Sequence, residues 1–140
     1  MKKTLKIIAV VLAVLLVVGS AAVYCAAALI YNSNFDERIT TTGRKNYDIE
    51  DFPSITRERH TFESDKKQTL VGYLYKSADE SIEQRGVIVF AHGFGAGGQR
   101  GYMDIFEFAA NNGYYVFAYD ATANDESEGD AVGGDRKSVV

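Results

Sequence analysis

Gly86-Val87-Ile88-Val89-Phe90-Ala91-His92-Gly93-Phe94-Gly95-Ala96-Gly97-Gly98 decides how the rest of this chain is read. Its first part is β-branched and aromatic without a polar interruption, which predicts a strand buried on both faces of a parallel sheet. Ligands of such sheets sit beyond the carboxyl ends of the strands, and this strand runs into His92 and then glycines at 93, 95, 97 and 98. Lacking side chains, those positions let peptide N–H groups turn toward a negatively charged atom. The loop reads as an anion cradle.

Working outward, Tyr102, Met103, Phe106, Ala109 and Ala110 recur at helical spacing, and Asn111-Asn112-Gly113 supplies a left-handed stop. Tyr114 to Tyr119 is a second apolar strand ending at Asp120. Strand, glycine loop, helix and strand form one βαβ unit, whose crossover makes the two strands parallel. Upstream, Thr56 to Glu63 and Leu70 to Tyr75 are β-rich and flank Ser64-Asp65-Lys66-Lys67-Gln68, which has turn composition. This predicts an antiparallel hairpin, followed by a polar loop from Ser77 to Gln84. No internal repeat is present.

The N-terminus is of another kind. Residues 1–6 are basic, with Lys2, Lys3 and Lys6, and the uncharged stretch from Ile7 to Tyr31 follows. A helix needs roughly 20 apolar residues to cross the hydrocarbon core, whereas a cleaved secretory segment has an apolar region of about 7 to 15. Residues 7–31 are therefore expected to be a retained signal anchor and the point of contact with the membrane. The small residues Gly19, Ser20, Ala21 and Ala22 keep cleavage open as an alternative. Three lysines before the span, against Asp36, Glu37 and Arg38 close after it, place the N-terminus in the cytoplasm and the remainder outside. Cys25, the one cysteine, lies within the span, so the exported part forms no disulfide of its own. Residues 32–53 are polar, include Thr40-Thr41-Thr42-Gly43, and read as a linker. Net charge is −4 with scattered basic residues, which excludes a clustered nucleic-acid footprint.

Two readings of the cradle are open. In the first, Gly93-x-Gly95-x-x-Gly98 is a dinucleotide fingerprint, with Asp120 holding a ribose hydroxyl. Against it stand Gln99 and Arg100, where close helix packing wants small apolar residues, and His92 directly before the first glycine. An exported domain also has little access to nicotinamide cofactors.

In the second, the chain resembles the N-terminal part of an α/β-hydrolase, close to the esterase, lipase and serine-aminopeptidase-like members. The resemblance rests on His92-Gly93-Phe94-Gly95, similar to the family's HG-type loop, and on the hairpin segment Asp65 to Tyr75. It continues through Asn112 to Asp120, and then through Asp120-Ala121-Thr122-Ala123-Asn124-Asp125-Glu126-Ser127-Glu128-Gly129. That last segment is in register with the family's D-x-x-G-x-G-x-S-x-G loop, with Ala123 and Asp125 replacing the two inner glycines. The resemblance implies an α/β-hydrolase fold in residues 54–134, made of a hairpin plus one βαβ unit of a mostly parallel sheet. It implies hydrolysis of a small-molecule or peptide acyl substrate through a serine nucleophile, without cofactor or metal. The backbone N–H of Phe94 would be one oxyanion donor, with His92 and Gly93 shaping its loop. A non-catalytic anchored protein with the same fold is a third possibility.

The remaining chemistry-bearing residues fit plainer roles. His60 lies among Arg57, Glu58 and Arg59 and is expected to be a solvated strand residue, and the family's base would follow the nucleophile, so His92 is not it. No G-x-S-x-G occurs in the 140 residues. Ser127 is flanked by Asp125, Glu126 and Glu128, whose charge opposes an alkoxide. Asp120, Asp125, Glu126, Glu128 and Asp130 do not match the EF-hand spacing and read as a solvated acidic loop. Residues 135–140, Asp135-Arg136-Lys137-Ser138-Val139-Val140, continue no element and resemble one reading frame of a sequencing adapter, so a non-native tail is expected. The chain then reads as a fragment without nucleophile, acid or base, inactive as written and expected to aggregate or be degraded because its core is incomplete.

Overall fold

The computed structural model describes residues 2–43, 46–93 and 97–132. The chain forms two units, Met1–Asp36 and Glu37–Val140. The first is one helix, α1 (Lys2–Phe35), in which no residue is buried. At 1.5 Å per residue it is about 50 Å long, more than the roughly 30 Å of a hydrocarbon core. It exceeds the expected span at both ends. Its composition and length suit a membrane anchor or a signal sequence. Within the apolar stretch the Ser20 hydroxyl donates to the Leu16 carbonyl at 2.8 Å, so this polar group is satisfied inside the helix.

The second unit is a mixed sheet with one covering helix. Its elements are β1 (Ile55–Glu63), β2 (Thr69–Ser77), β3 (Gly86–Ala91), α2 (Met103–Asn111) and β4 (Tyr114–Tyr119), with single 3₁₀ turns at Ile49–Asp51 and Gln99–Tyr102. The sheet order is β1-β2-β4-β3. β1 and β2 form the expected antiparallel hairpin, with Glu63 opposite Thr69. Its turn is closed by the Ser64 N–H on the Gln68 carbonyl and the Lys67 N–H on the Ser64 carbonyl, both at 2.9 Å. β4 lies antiparallel to β2 and parallel to β3.

Side chains two apart on a strand share a face. Val71, Tyr73 and Tyr75 of β2 and Val116 and Ala118 of β4 meet Met103, Phe106 and Ala110 of α2 in the core, completed by Phe52 and Ile55. Burying a side chain of Phe106's size contributes about 1.5–3 kcal/mol, and its ring lies 5.0 Å from those of both Tyr75 and Phe90. The opposite face carries a looser aromatic group, with Phe62 6.1 Å from Phe117 and 6.0 Å from Tyr119. α2 ends where the sequence places its stop. Gly113 has φ +87°, and its N–H returns to the Ala110 carbonyl at 3.0 Å.

Two expectations need correction. The strand 86–91 is not buried on both faces: β3 pairs only with β4 among the described residues and forms the sheet edge. Val87 and Val89 are 61% and 70% exposed, whereas Phe90 points to the covered face and packs on Tyr102 and Phe106. An apolar run reports the company a strand can keep, and here α2 covers one face only. Second, residues 37–53 are not a free linker. Phe52 enters the core, Tyr47 and Ile49 pack against it, and the Arg100 guanidinium donates to the Tyr47 carbonyl at 3.0 Å. Thr41 is buried as well. A polar segment without periodicity forms no regular element, yet its side chains and backbone still satisfy loops elsewhere.

Candidate functional site

The C-terminal ends of β3 and β4 lie side by side because the strands are parallel, with Ala91 opposite Tyr119. The loops that leave them must therefore meet. His92 is the first link between them. Its Nε2 accepts the backbone N–H of Ala121 at 3.0 Å, and its Nδ1 lies 3.0 Å from the Gly93 carbonyl. An acceptor at Nε2 leaves the proton on Nδ1, which donates to Gly93. With both nitrogens engaged, His92 braces the loop start and has no lone pair to serve as a base.

At the other end of the glycine loop, Gly97, Gly98 and Gln99 are buried. Asp120, fully buried, accepts the Gln99 N–H at 2.7 Å on one carboxylate oxygen and the Glu126 N–H at 3.4 Å on the other. Burial pushes the Asp120 carboxyl up to about 6, with Asp125 adding to the rise, while the Gln99 and Glu126 amides oppose it. The Gln99 side chain accepts the Tyr75 hydroxyl at 2.5 Å, and its amide nitrogen has no hydrogen-bond partner among the described residues. Burial raises the Tyr75 hydroxyl to about 12, so it stays a donor.

The loop after β4 is solvated only in part: Glu126, Glu128 and Asp130 are exposed as expected, whereas Asp120 is buried and Asp125 half-buried. Ser127 is completely buried. Its hydroxyl donates to the Asp120 carbonyl at 2.6 Å and accepts the Val71 N–H at 2.9 Å. Glu126 accepts from Tyr73 at 2.5 Å and from Arg59 at 3.0 Å, and Asp125 bonds Thr41. Acidic groups clustered in sequence are here shared out among separate donors. Ala123 and Asp125 have φ of +60° and +33°. These are the two positions where the resembled loop has glycine, and a side chain in this region costs roughly 1–2 kcal/mol. The glycine-to-alanine and glycine-to-aspartate departures keep the turn and strain it.

Of the predicted site residues, His92 and Gly93 lie at the end of β3, while Phe94 and Gly95 fall outside the described residues. Gly98 and Asp120 of the dinucleotide alternative are adjacent, and their arrangement opposes that reading. A Cβ built on Gly98 would overlap the Asp120 carboxylate and lie 2.5 Å from Asp125 Oδ2. The close approach the glycine allows is thus taken by two carboxylates, which repel a pyrophosphate, and Asp120 is committed to Gln99 instead of a ribose. His60 is partly exposed, lies 3.6 Å from Glu58 and rests edge-on to Phe117. Neither Thr41 nor Gln99 carries a sequence signal for its place here. One sat in a threonine run with linker composition and the other counted only as an argument against glycine-loop packing.

Comparison with known proteins locates the likeness at the level of fold. No family model matches the chain, and no curated protein matches it. Among solved structures, the Pyrococcus furiosus esterase Pf2001 superposes with a TM-score of 0.50 and 21% identity, over 69% of this chain and 34% of the esterase. Two other crystal forms of that esterase give TM-scores of 0.49 and 0.48 at 17% identity, covering 68% and 66% of this chain and 34% of theirs. The chain thus spans about a third of the esterase's length and shares a mixed α/β, hydrolase-like fold with it.

Proposed function

We propose that this chain is part of a membrane-anchored, extracytoplasmic serine hydrolase that cleaves an ester or amide through an acyl-enzyme. The observation that carries the reading is the His92-Gly93 loop start at the end of β3, braced to the loop after β4 within an esterase-like fold. In such a reaction the carbonyl oxygen gains charge as the nucleophile attacks, and a fixed N–H donor aimed at it is worth about 2.7–4 kcal/mol. Phe94 is the residue assigned that donor, with His92 and Gly93 holding the entry to its loop. The second donor, the nucleophile, the acid and the base would come from sequence outside these 140 residues, as would the loops that set specificity. No cofactor is required by this chemistry. α1 acts as the anchor, with the lysines at its start in the cytoplasm and the sheet domain outside.

The test is the reading frame beyond Gly134 and the activity of its product. A G-x-S-x-G followed by Asp or Glu and then His is expected, together with hydrolysis of p-nitrophenyl acetate by the complete protein. A complete frame lacking that order, or a pure product without hydrolytic activity, overturns the proposal. Digestion of the sheet domain by protease added to the cytoplasmic face of sealed vesicles would reverse the assigned orientation.

A further inference from the structure

The segment that follows the apolar helix in sequence is bound to the glycine loop through one threonine. The Thr41 N–H donates to Asp125 Oδ1 at 2.5 Å, and its hydroxyl donates to Asp125 Oδ2 at 2.7 Å. The same hydroxyl oxygen accepts the buried N–H of Gly98 at 2.8 Å. Gly97, at φ +77°, lies against the Thr41 backbone so closely that a Cβ there would be 2.6 Å from Thr41 Cα. The loop carrying Asp125 is held from the same segment. Arg38 donates to the carbonyls of Gly129 at 2.6 Å and of Asp125 and Ser127 at 2.9 Å. Ile39 pairs with Asn124, exchanging backbone bonds of 3.0 Å with Ala123 and Asp125.

Asp125 is the key to what this does. It occupies a left-handed turn position where glycine is unstrained, yet it carries the carboxylate that takes both Thr41 donors. Strain of this kind persists only where surrounding contacts over-determine it. We infer that Asp125 and Thr41 form a latch that positions the Gly97-Gly98 end of the glycine loop, so that the segment after the helix is a working part of the site instead of a tether. Thr41 is then a positioning residue acting through the Gly98 amide. Its consequence for catalysis rests on the hydrolase reading above, but the latch itself does not.

Amide hydrogen exchange on the full chain in dodecylmaltoside micelles, read by NMR, tests the latch directly. In Thr41→Val, which keeps the shape and removes the hydroxyl, the Gly98 amide is expected to exchange about tenfold faster, as for loss of one hydrogen bond. The Val71 and Val116 amides should stay unchanged, and Thr41→Ser should restore protection. Asp125→Gly relieves the turn and would protect Gly98 better if Asp125 were only a strained residue. The latch requires the opposite, faster exchange, with the double variant no faster than Thr41→Val alone. Unchanged or slower Gly98 exchange in either single variant overturns the proposal, as does equal acceleration of the sheet amides. Because exchange needs no activity, a failed hydrolase reading would leave this result standing, and the reverse also holds.

Discussion

His92 Nε2 accepts the backbone N–H of Ala121 at 3.0 Å, joining the loops that leave two neighbouring parallel strands. The bond works only for the neutral ring, because an imidazolium has no lone pair. Replacing His92 by Ala strands the Ala121 N–H and frees the Gly93 carbonyl. The expected cost is about 1 kcal/mol, read as a lowered urea midpoint with the slope unchanged. A variant as stable as the parent would mean the brace is not formed in solution.

Ser127 is the serine in phase with the resembled loop, and its hydroxyl is spent on the Asp120 carbonyl and the Val71 N–H. Ser127→Ala leaves both groups buried without that partner, so a loss of about 2–3 kcal/mol is expected in chemical denaturation. For the same reason this chain should not be labelled by a fluorophosphonate probe. Mass-spectrometric detection of the adduct on Ser127 would contradict the structural role.

Asp120 makes stability depend on pH in a known direction. Its carboxyl titrates near 6 in the folded chain because it is buried, against about 3.9 in an unfolded one. Between those values the folded state holds the extra proton. The stability this group contributes is full below about pH 4 and is lost as pH rises through about 6, a change of about 2–3 kcal/mol. Asp120→Asn removes that titration. Urea midpoints of parent and variant at pH 4 and pH 7 should therefore diverge in the variant's favour at the higher pH. A difference independent of pH would show that the carboxyl is not perturbed.

The β3 edge gives a test of the fold. Val89 is 70% exposed, on the face opposite Phe90. Val89→Thr keeps the β-branch and should change stability by less than about 0.5 kcal/mol, while reducing self-association of an apolar sheet edge, measured by light scattering. A loss of more than about 1 kcal/mol would place Val89 in a packed interior.

What was legible in the sequence was whatever depends on near neighbours along the chain. The hairpin turn at Ser64–Gln68 and the Gly113 stop each follow from local conformational preference, and each lies where the sequence places it. The site was legible only in part. His92 stood out as a lone histidine at a strand end, but nothing in its neighbours told that Ala121 would supply its partner.

Sequence by itself therefore determined the apolar N-terminal helix, the βαβ order and the place of a glycine loop at a strand end, because periodicity and glycine chemistry act over a few residues. Tertiary structure alone decided that β3 pairs only with β4 among the described residues, that Thr41 is buried and that Asp120 and Ser127 are spent on backbone hydrogen bonds. Those outcomes depend on which segments distant in sequence arrive at one place. Parallel pairing of β3 with β4 brings the 90s and 120s loops together, and only then does a carboxylate meet the amide it must satisfy.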